Sequence, residues 1–182
     1  VLLYGPPGTG KTSLAKVVAS QSGVNFLSVN ASELLNGGPG NVQDEFRIAR
    51  KYAPAILFID EIDAIGIKRE YSYAPNPVLN ALLTEMDGFI SREDKPVFVM
   101  AATNLGNKID FALQRRFDRS FEMDCLDRKG RRWVLEKLIK KQGDMFEVSD
   151  EEIESIVDRS ARMSPAVLER VVEAALREGI RS

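Results

Sequence analysis

Residues 5–13 read Gly5-Pro6-Pro7-Gly8-Thr9-Gly10-Lys11-Thr12-Ser13 and fit the pattern G-x-x-x-x-G-K-[ST]. An apolar run, "VLLY", precedes them, and a segment with helical patterning follows. Glycines at these positions let backbone N–H groups converge on phosphate oxygens that side chains would otherwise obstruct. A helix opening at Lys11 directs its positive N-terminal end at the same anion. In this chemistry Lys11 reaches the β- and γ-phosphates of a nucleoside triphosphate, and Thr12 supplies a hydroxyl oxygen to magnesium. Residues 5–13 are therefore read as a nucleotide cradle.

A second stretch complements the first. "AILFIDEID" at 55–63 is an apolar strand that ends in carboxylates. Asp60, at the strand's carboxyl end, is placed to hold the magnesium shell, directly or through water, and Glu61 to polarise a water for attack on the γ-phosphate. The bland alternative is a solvated, helix-capping acidic cluster. The phosphate loop upstream favours the chemical reading for Asp60 and Glu61. Asp63 fits either.

The elements that must position these groups follow from the patterning. Apolar runs bounded by turn residues predict strands at 1–4, 24–29, 55–60, 97–102 and about 119–123. Helical stretches are expected near 11–21, 42–52, 76–87 and 110–115, the second with Val42, Phe46 and Ala49 on one face. Strands alternating with helices indicate a parallel sheet covered on both sides. After Asp124 the pattern becomes all-helical. "DRKGRRWVLEKLIKKQ" is expected to bury Trp133, Leu135 and Leu138. "SDEEIESIVDRSA" opens with a capping box, Ser149 with Glu152, and carries Ile153, Ile156 and Val157 on one face. "SPAVLERVVEAALREG" has Ser164 as N-cap, Pro165 at the first helical position, a stripe of Leu168, Val171, Val172 and Ala175, and Gly179 as its stop. The expected division is an α/β nucleotide-binding subdomain over 1–125 and a small helical subdomain over 126–182.

Composition removes several alternatives. The chain has no histidine, which excludes His-based acid–base chemistry, His-containing zinc sites and an H-E-x-x-H helix from these residues. Cys125 is the single cysteine, so no internal disulfide forms; it is expected to be a small buried apolar residue in a reducing compartment. A net charge of −2, without a long basic stripe, gives no reason to expect nucleic acid as a partner. No apolar run reaches the ~20 residues of a membrane span. The sequence opens directly on the strand "VLLYG", as expected of a piece excised from a longer protein. Any targeting or anchoring segment would then lie outside it.

"GPPGTGKT", "ILFIDEIDAIG", "LLTEMDGF", "AATN" and "RRFDR", in this order, resemble the AAA ATPase family over essentially the whole chain. "ARKYAPAILFIDEIDAIG" followed by "LNALLTEMDGF" is most similar to the ATPase module of the FtsH-type AAA proteases, with proteasomal ATPases and valosin-type segregases as near neighbours. The resemblance implies a P-loop NTPase fold with a five-stranded parallel sheet and a helical lid. It also implies ATP/ADP and Mg2+ as ligands, and a homo-oligomer, usually a hexameric ring, that binds nucleotide between neighbours. Asn104, ending "VFVMAATN", matches the polar sensor that helps position the attacking water; its amide offers a donor and an acceptor. Arg116 and Arg119 in "RRFDR" match the pair that the family inserts into the adjacent subunit's site. Here "ALQRRFDR" lacks the family's Pro-Gly, so a shorter finger loop is expected. "RMSPAVLE" likewise has Pro165 and Ala166 where the FtsH-type pattern has Gly-Ala-Asp.

In that family, loops lining a central pore pull on a polypeptide substrate for a protease domain in the same full-length chain, which is often membrane-anchored. The first such loop corresponds to "LLNGGPGN" at 34–41, between the second strand and a helix expected to begin near Asn41. It is several residues shorter than the family pattern, and no aromatic lies between Phe26 and Phe46, which leaves Leu34 and Leu35 as the closest apolar residues. No Lys-Ser/Thr pair follows its glycines, so it is not a second phosphate loop. The second pore loop falls near "IKREYSYAPNP", where Tyr71 and Tyr73 either take over substrate contact or are incidental surface residues. The leading reading is an ATPase motor that remodels or unfolds proteins. The alternative is a nucleotide-switched assembly or scaffold protein that does not translocate polypeptide.

Overall fold

The computed structural model describes residues 1–67, 76–88, 96–141 and 148–179, and the statements below concern these. Tyr71 and Tyr73 lie outside them. The chain divides into two compact units, Val1–Gly5 with Lys11–Glu122 and Pro6–Gly10 with Met123–Ser182.

In the first unit five strands form one parallel sheet: β1 (Leu2–Tyr4), β2 (Asn25–Asn30), β3 (Ala55–Asp60), β4 (Val97–Thr103) and β5 (Ser120–Glu122). Their order is β2-β3-β4-β1-β5. The predicted strand positions agree with these to within a residue or so. The first five residues of β3 are buried, as a central strand covered on both faces requires. Parallel register aligns Asn30 with Asp60, Ile59 with Ala101 and Tyr4 with Thr103. The carboxyl ends of β1, β2, β3 and β4 thus share one edge of the sheet, which is where open α/β sheets bind ligands.

Helix α1 (Lys11–Ser22) leads from β1 toward β2, and α2 (Ala31–Lys51) from β2 toward β3. A short α3 (Asp63–Gly66), α4 (Pro77–Gly88) and α5 (Phe111–Gln114) complete the unit. Val42, Phe46 and Ala49 of α2 are fully buried in one cluster with Leu57 and Ile59 of β3 and with Val78 and Leu82 of α4. Arg50 of α2 meets Glu85 of α4 at 3.0 Å beside it.

The expected glycine loop is not a loop. Helical structure begins at Ala31, capped by Asn30 Oδ1, and continues through "LLNGGPGN", broken only at Gly38 with φ +75° and ψ −172°. Pro39 follows at once, and Asn41 Nδ2 reaches back to Glu33 O at 3.3 Å. Two helical segments therefore meet at a kink that glycine permits and proline fixes. Leu34 is fully buried in the core, whereas Leu35 is 38% exposed.

The second unit holds α6 (Arg128–Lys141), α7 (Asp150–Arg159) and α8 (Pro165–Gly179) around Leu135, Ile153, Val157 and Leu168. The Ser149–Glu152 capping box is present with both reciprocal bonds. The buried Arg131 donates to Leu126 O at 2.9 Å and Val157 O at 3.2 Å, joining the start of α6 to the end of α7. Three expectations fail here. Trp133 is 60% exposed, with Lys137 Nζ 5.7 Å from its ring centre. Val171 and Ala175 are exposed, because Leu168 and Val172 already fill the contact with α6 and α7. Cys125 is half-buried rather than buried, since it sits in the segment joining β5 to α6.

Candidate active site

The sheet's carboxyl edge collects the chemistry. After β1 the backbone passes through Gly5 and the five residues Pro6–Gly10 before α1 begins at Lys11. Gly8 and Gly10 take φ of +76° and +96°, conformations that an L side chain would strain. Pro6, Pro7 and Gly8 are exposed, and Thr9 is buried with its hydroxyl donated to Pro6 O at 3.0 Å. Ser13, the last residue of the motif, faces solvent.

Lys11 is buried and donates from Nζ to Gly5 O and to Asn104 Oδ1, each at 2.8 Å. Burial pulls its pKa below the ordinary lysine value, and the carboxylates of Asp60 and Asp63 oppose that shift. The order β3-β4-β1 explains the meeting. Asn104 follows β4, which lies between the strand carrying Asp60 and the strand leading to Lys11.

Thr12 donates its hydroxyl to Asp60 Oδ2 at 2.9 Å, and Asp60 Oδ1 accepts the N–H of Glu61 at 2.9 Å. One hydroxyl and one carboxylate side by side fit magnesium, which takes oxygen ligands and commonly uses one or two carboxylates with substrate phosphates. Among the described residues no group of three His, Cys, Asp or Glu side chains converges.

Glu61 is exposed and has φ +52°. Its Oε2 accepts Asn30 Nδ2 at 2.8 Å, while Asn30 Oδ1 caps α2 through Ser32 N at 2.8 Å. Asn30 is a site residue that motif reading missed. Its signal was positional: parallel pairing of β2 with β3 puts the last residue of "NFLSVN" opposite Asp60. Thr103 was missed for the same reason. It ends β4, is 1% exposed, and gives its hydroxyl to Asp63.

The structure gathers Lys11, Thr12, Asp60, Glu61 and Asn104, but not Arg116 or Arg119. Both arginines are exposed and precede β5, and Arg119 O accepts the N–H of Leu2 at the start of β1. They therefore lie toward the amino edge of the sheet, opposite the edge carrying Lys11. Arg116 instead binds Asp87 of α4, Nε to Oδ1 at 2.5 Å and Nη2 to Oδ2 at 2.9 Å.

Residues 1–125 match the family described as "ATPase family associated with various cellular activities (AAA)". The chain belongs to this AAA ATPase family. It is 43% identical over 188 residues to an ATP-dependent zinc metalloprotease FtsH of Corynebacterium glutamicum, covering 97% of this AAA chain and 22% of that protein. An FtsH of Helicobacter felis is 45% identical over 192 residues, with 98% and 30% covered. A 26S proteasome regulatory subunit 6B homolog of Aspergillus niger is 41% identical over 187 residues, with 96% and 43% covered. This AAA chain thus spans less than half the length of these relatives. Among solved structures, the FIGL-1 AAA domain in complex with ADP superposes with a TM-score of 0.84 at 28% identity, covering 99% of this chain and 61% of that one. The α/β P-loop NTPase fold with a five-stranded parallel sheet is shared with that domain. Among the described residues no helix is long and apolar enough to cross a membrane.

Proposed function

We propose that this AAA chain hydrolyses ATP and that its turnover drives remodelling or unfolding of protein substrates, as the motor module of an FtsH-like protease or a related unfoldase. Residues 1–125 form the nucleotide-binding subdomain of that motor and 126–182 its helical lid. The observation that carries the reading is the bonded series Thr12–Asp60–Glu61 beside Lys11–Asn104.

Gly5–Ser13 bind the phosphates, and Lys11 exchanges its bond to Gly5 O for phosphate oxygens. Thr12 and Asp60 would hold the magnesium ion, which would neutralise phosphate charge there. Glu61 takes the proton of a water as that water attacks the γ-phosphorus. Asn104, whose amide oxygen already receives Lys11, keeps its N–H groups for the water or a phosphate oxygen. ADP and phosphate leave.

Arg116 and Arg119, lying toward the opposite sheet edge from Lys11, act on a second copy and stabilise charge on the transferring phosphoryl group there. This calls for a ring or other homo-oligomer. The experiment is complementation between subunits. Arg116→Ala and Lys11→Ala proteins should each be inactive, and mixing them should restore turnover, because one retains the site and the other the finger. Full activity of Arg116→Ala alone would end the in-trans assignment.

A second reading, a nucleotide-switched scaffold that does not translocate polypeptide, draws support from the α2 kink. Leu34 is buried there, and the aromatics that flank it in sequence, Phe26 and Phe46, are strand and core residues. ATP-dependent unfolding of a tagged substrate by the full-length protein decides between the two.

A further inference from the structure

Asp63 has no role in the steps above, yet a short bond ties it into the site. Thr103 donates its hydroxyl to Asp63 Oδ1 at 2.6 Å, and the same hydroxyl oxygen accepts the N–H of Leu105 at 2.9 Å. Thr103 and Leu105 flank Asn104, so one hydroxyl fixes the backbone on both sides of that residue. Thr103 is 1% exposed, which leaves little water to compete for the bond.

The turn carrying Glu61 is fastened to the same strand. Ile62 donates its N–H to Ala102 O at 2.9 Å, and Ala64 N–H reaches Glu61 O at 2.9 Å. Glu61 itself stands at φ +52°, a conformation that costs a non-glycine residue free energy and persists only where its surroundings over-determine it. Asp63, two residues on, adds a side-chain tie to these backbone ones. It does not act as the cap of α3, which has no side-chain N-cap bond.

We infer that Asp63 is a positioning residue for hydrolysis: through the Thr103 hydroxyl it holds the Glu61 turn and the Asn104 loop in one fixed relation, so that carboxylate and amide address the same water. The inference rests on the ATPase reading above and assigns to Asp63 a role that its motif left open. A water held between two groups on different strands is sensitive to their separation, and misplacement by about 1 Å costs about 100-fold in well-studied enzymes.

The test uses Thr103→Val, which keeps the shape and removes the hydroxyl, and Thr103→Ser, which restores the hydroxyl. Thr103→Val and Asp63→Ala should each slow ATP turnover about 10-fold or more. ATP affinity, read with a fluorescent ATP analogue, should stay within about twofold, and Thr103→Ser should stay within about twofold of the parent in turnover. In an Asn104→Ala background, Thr103→Val should add no further loss of rate. The inference is overturned by parental turnover in Thr103→Val and Asp63→Ala. It is equally overturned if affinity falls in parallel with rate, or if Thr103→Val costs the same factor with and without Asn104. Failure of the ATPase reading itself shows separately, as absence of ATP turnover in the assembled parent protein, which would overturn this inference with it.

Discussion

Asn30 Nδ2 donates to Glu61 Oε2 at 2.8 Å, while the same amide's oxygen caps helix α2. One side chain therefore joins the candidate base to the helix that carries the Gly38 kink. Replacing Asn30 by Asp keeps the cap oxygen but sets a second carboxylate against Glu61. Like charge raises a carboxyl pKa, so the acid limb of the pH–rate profile should move to higher pH in Asn30→Asp. Asn30→Ala should lower stability by about 1 kcal/mol through the lost cap. Identical profiles for Asn30→Asp and the parent would separate Asn30 from the chemistry.

Lys11 makes a paired prediction. Loss of a charge-assisted hydrogen-bond donor to phosphate is worth about 1.5–3 kcal/mol, so Lys11→Met should weaken ATP binding by about 10- to 100-fold in equilibrium titration. Burial lowers the Lys11 pKa in the fold, so the unfolded chain binds more protons there. Stability from this site is then least at low pH and rises as pH climbs through the folded pKa toward the ordinary lysine value of about 10.4. Denaturant melts should show the parent gaining on Lys11→Met over that climb. A constant difference would contradict the burial of a charged Lys11.

Two glycines in α2 should answer in opposite directions. Gly38 has open space around a Cβ but holds φ +75°, so Gly38→Ala should destabilise by about 1–3 kcal/mol. Gly40, also with open space and no positive φ, lies within the helix, and Gly40→Ala should stabilise by about 0.5–1 kcal/mol. Thermal melts giving both the same sign would rule out the kink.

The capping box of α7 sets a pH response in the second unit. Bonds from the Ser149 backbone and hydroxyl hold Glu152 below the ordinary glutamate pKa. This stabilisation is complete above about pH 4.3 and is lost as pH falls through the lowered value. Ser149→Ala should cost about 1 kcal/mol at neutral pH. The gap between parent and variant should narrow on acidification, and a pH-independent gap would show that Glu152 takes no part.

Sequence patterning reached far into this fold because the governing signals are local. A β3 that is apolar up to its terminal Asp60, the glycines of 5–13 and the Ser149–Glu152 spacing each declare their structure within a few residues. What escaped depends on pairing at a distance. Asn30 and Thr103 are unremarkable in their own segments and matter only because β2, β3 and β4 end together. The α2 kink was misread because "GGPG" is turn composition, while the buried Leu34 and the Asn30 cap draw helix through it. Trp133 was misplaced since Leu135, with Leu138 and Ile139 packed beside it, fills the face toward α7 and α8, and a neighbouring lysine covers the exposed ring.

The central claim is that Glu61 activates the water in ATP hydrolysis. It is tested most directly by measuring phosphate release and ATP binding side by side for the parent and Glu61→Gln proteins, at concentrations high enough to assemble. Both should bind ATP with similar affinity, and phosphate release should fall by about 100-fold or more in Glu61→Gln. Equal rates of phosphate release at equal ATP occupancy would contradict the account.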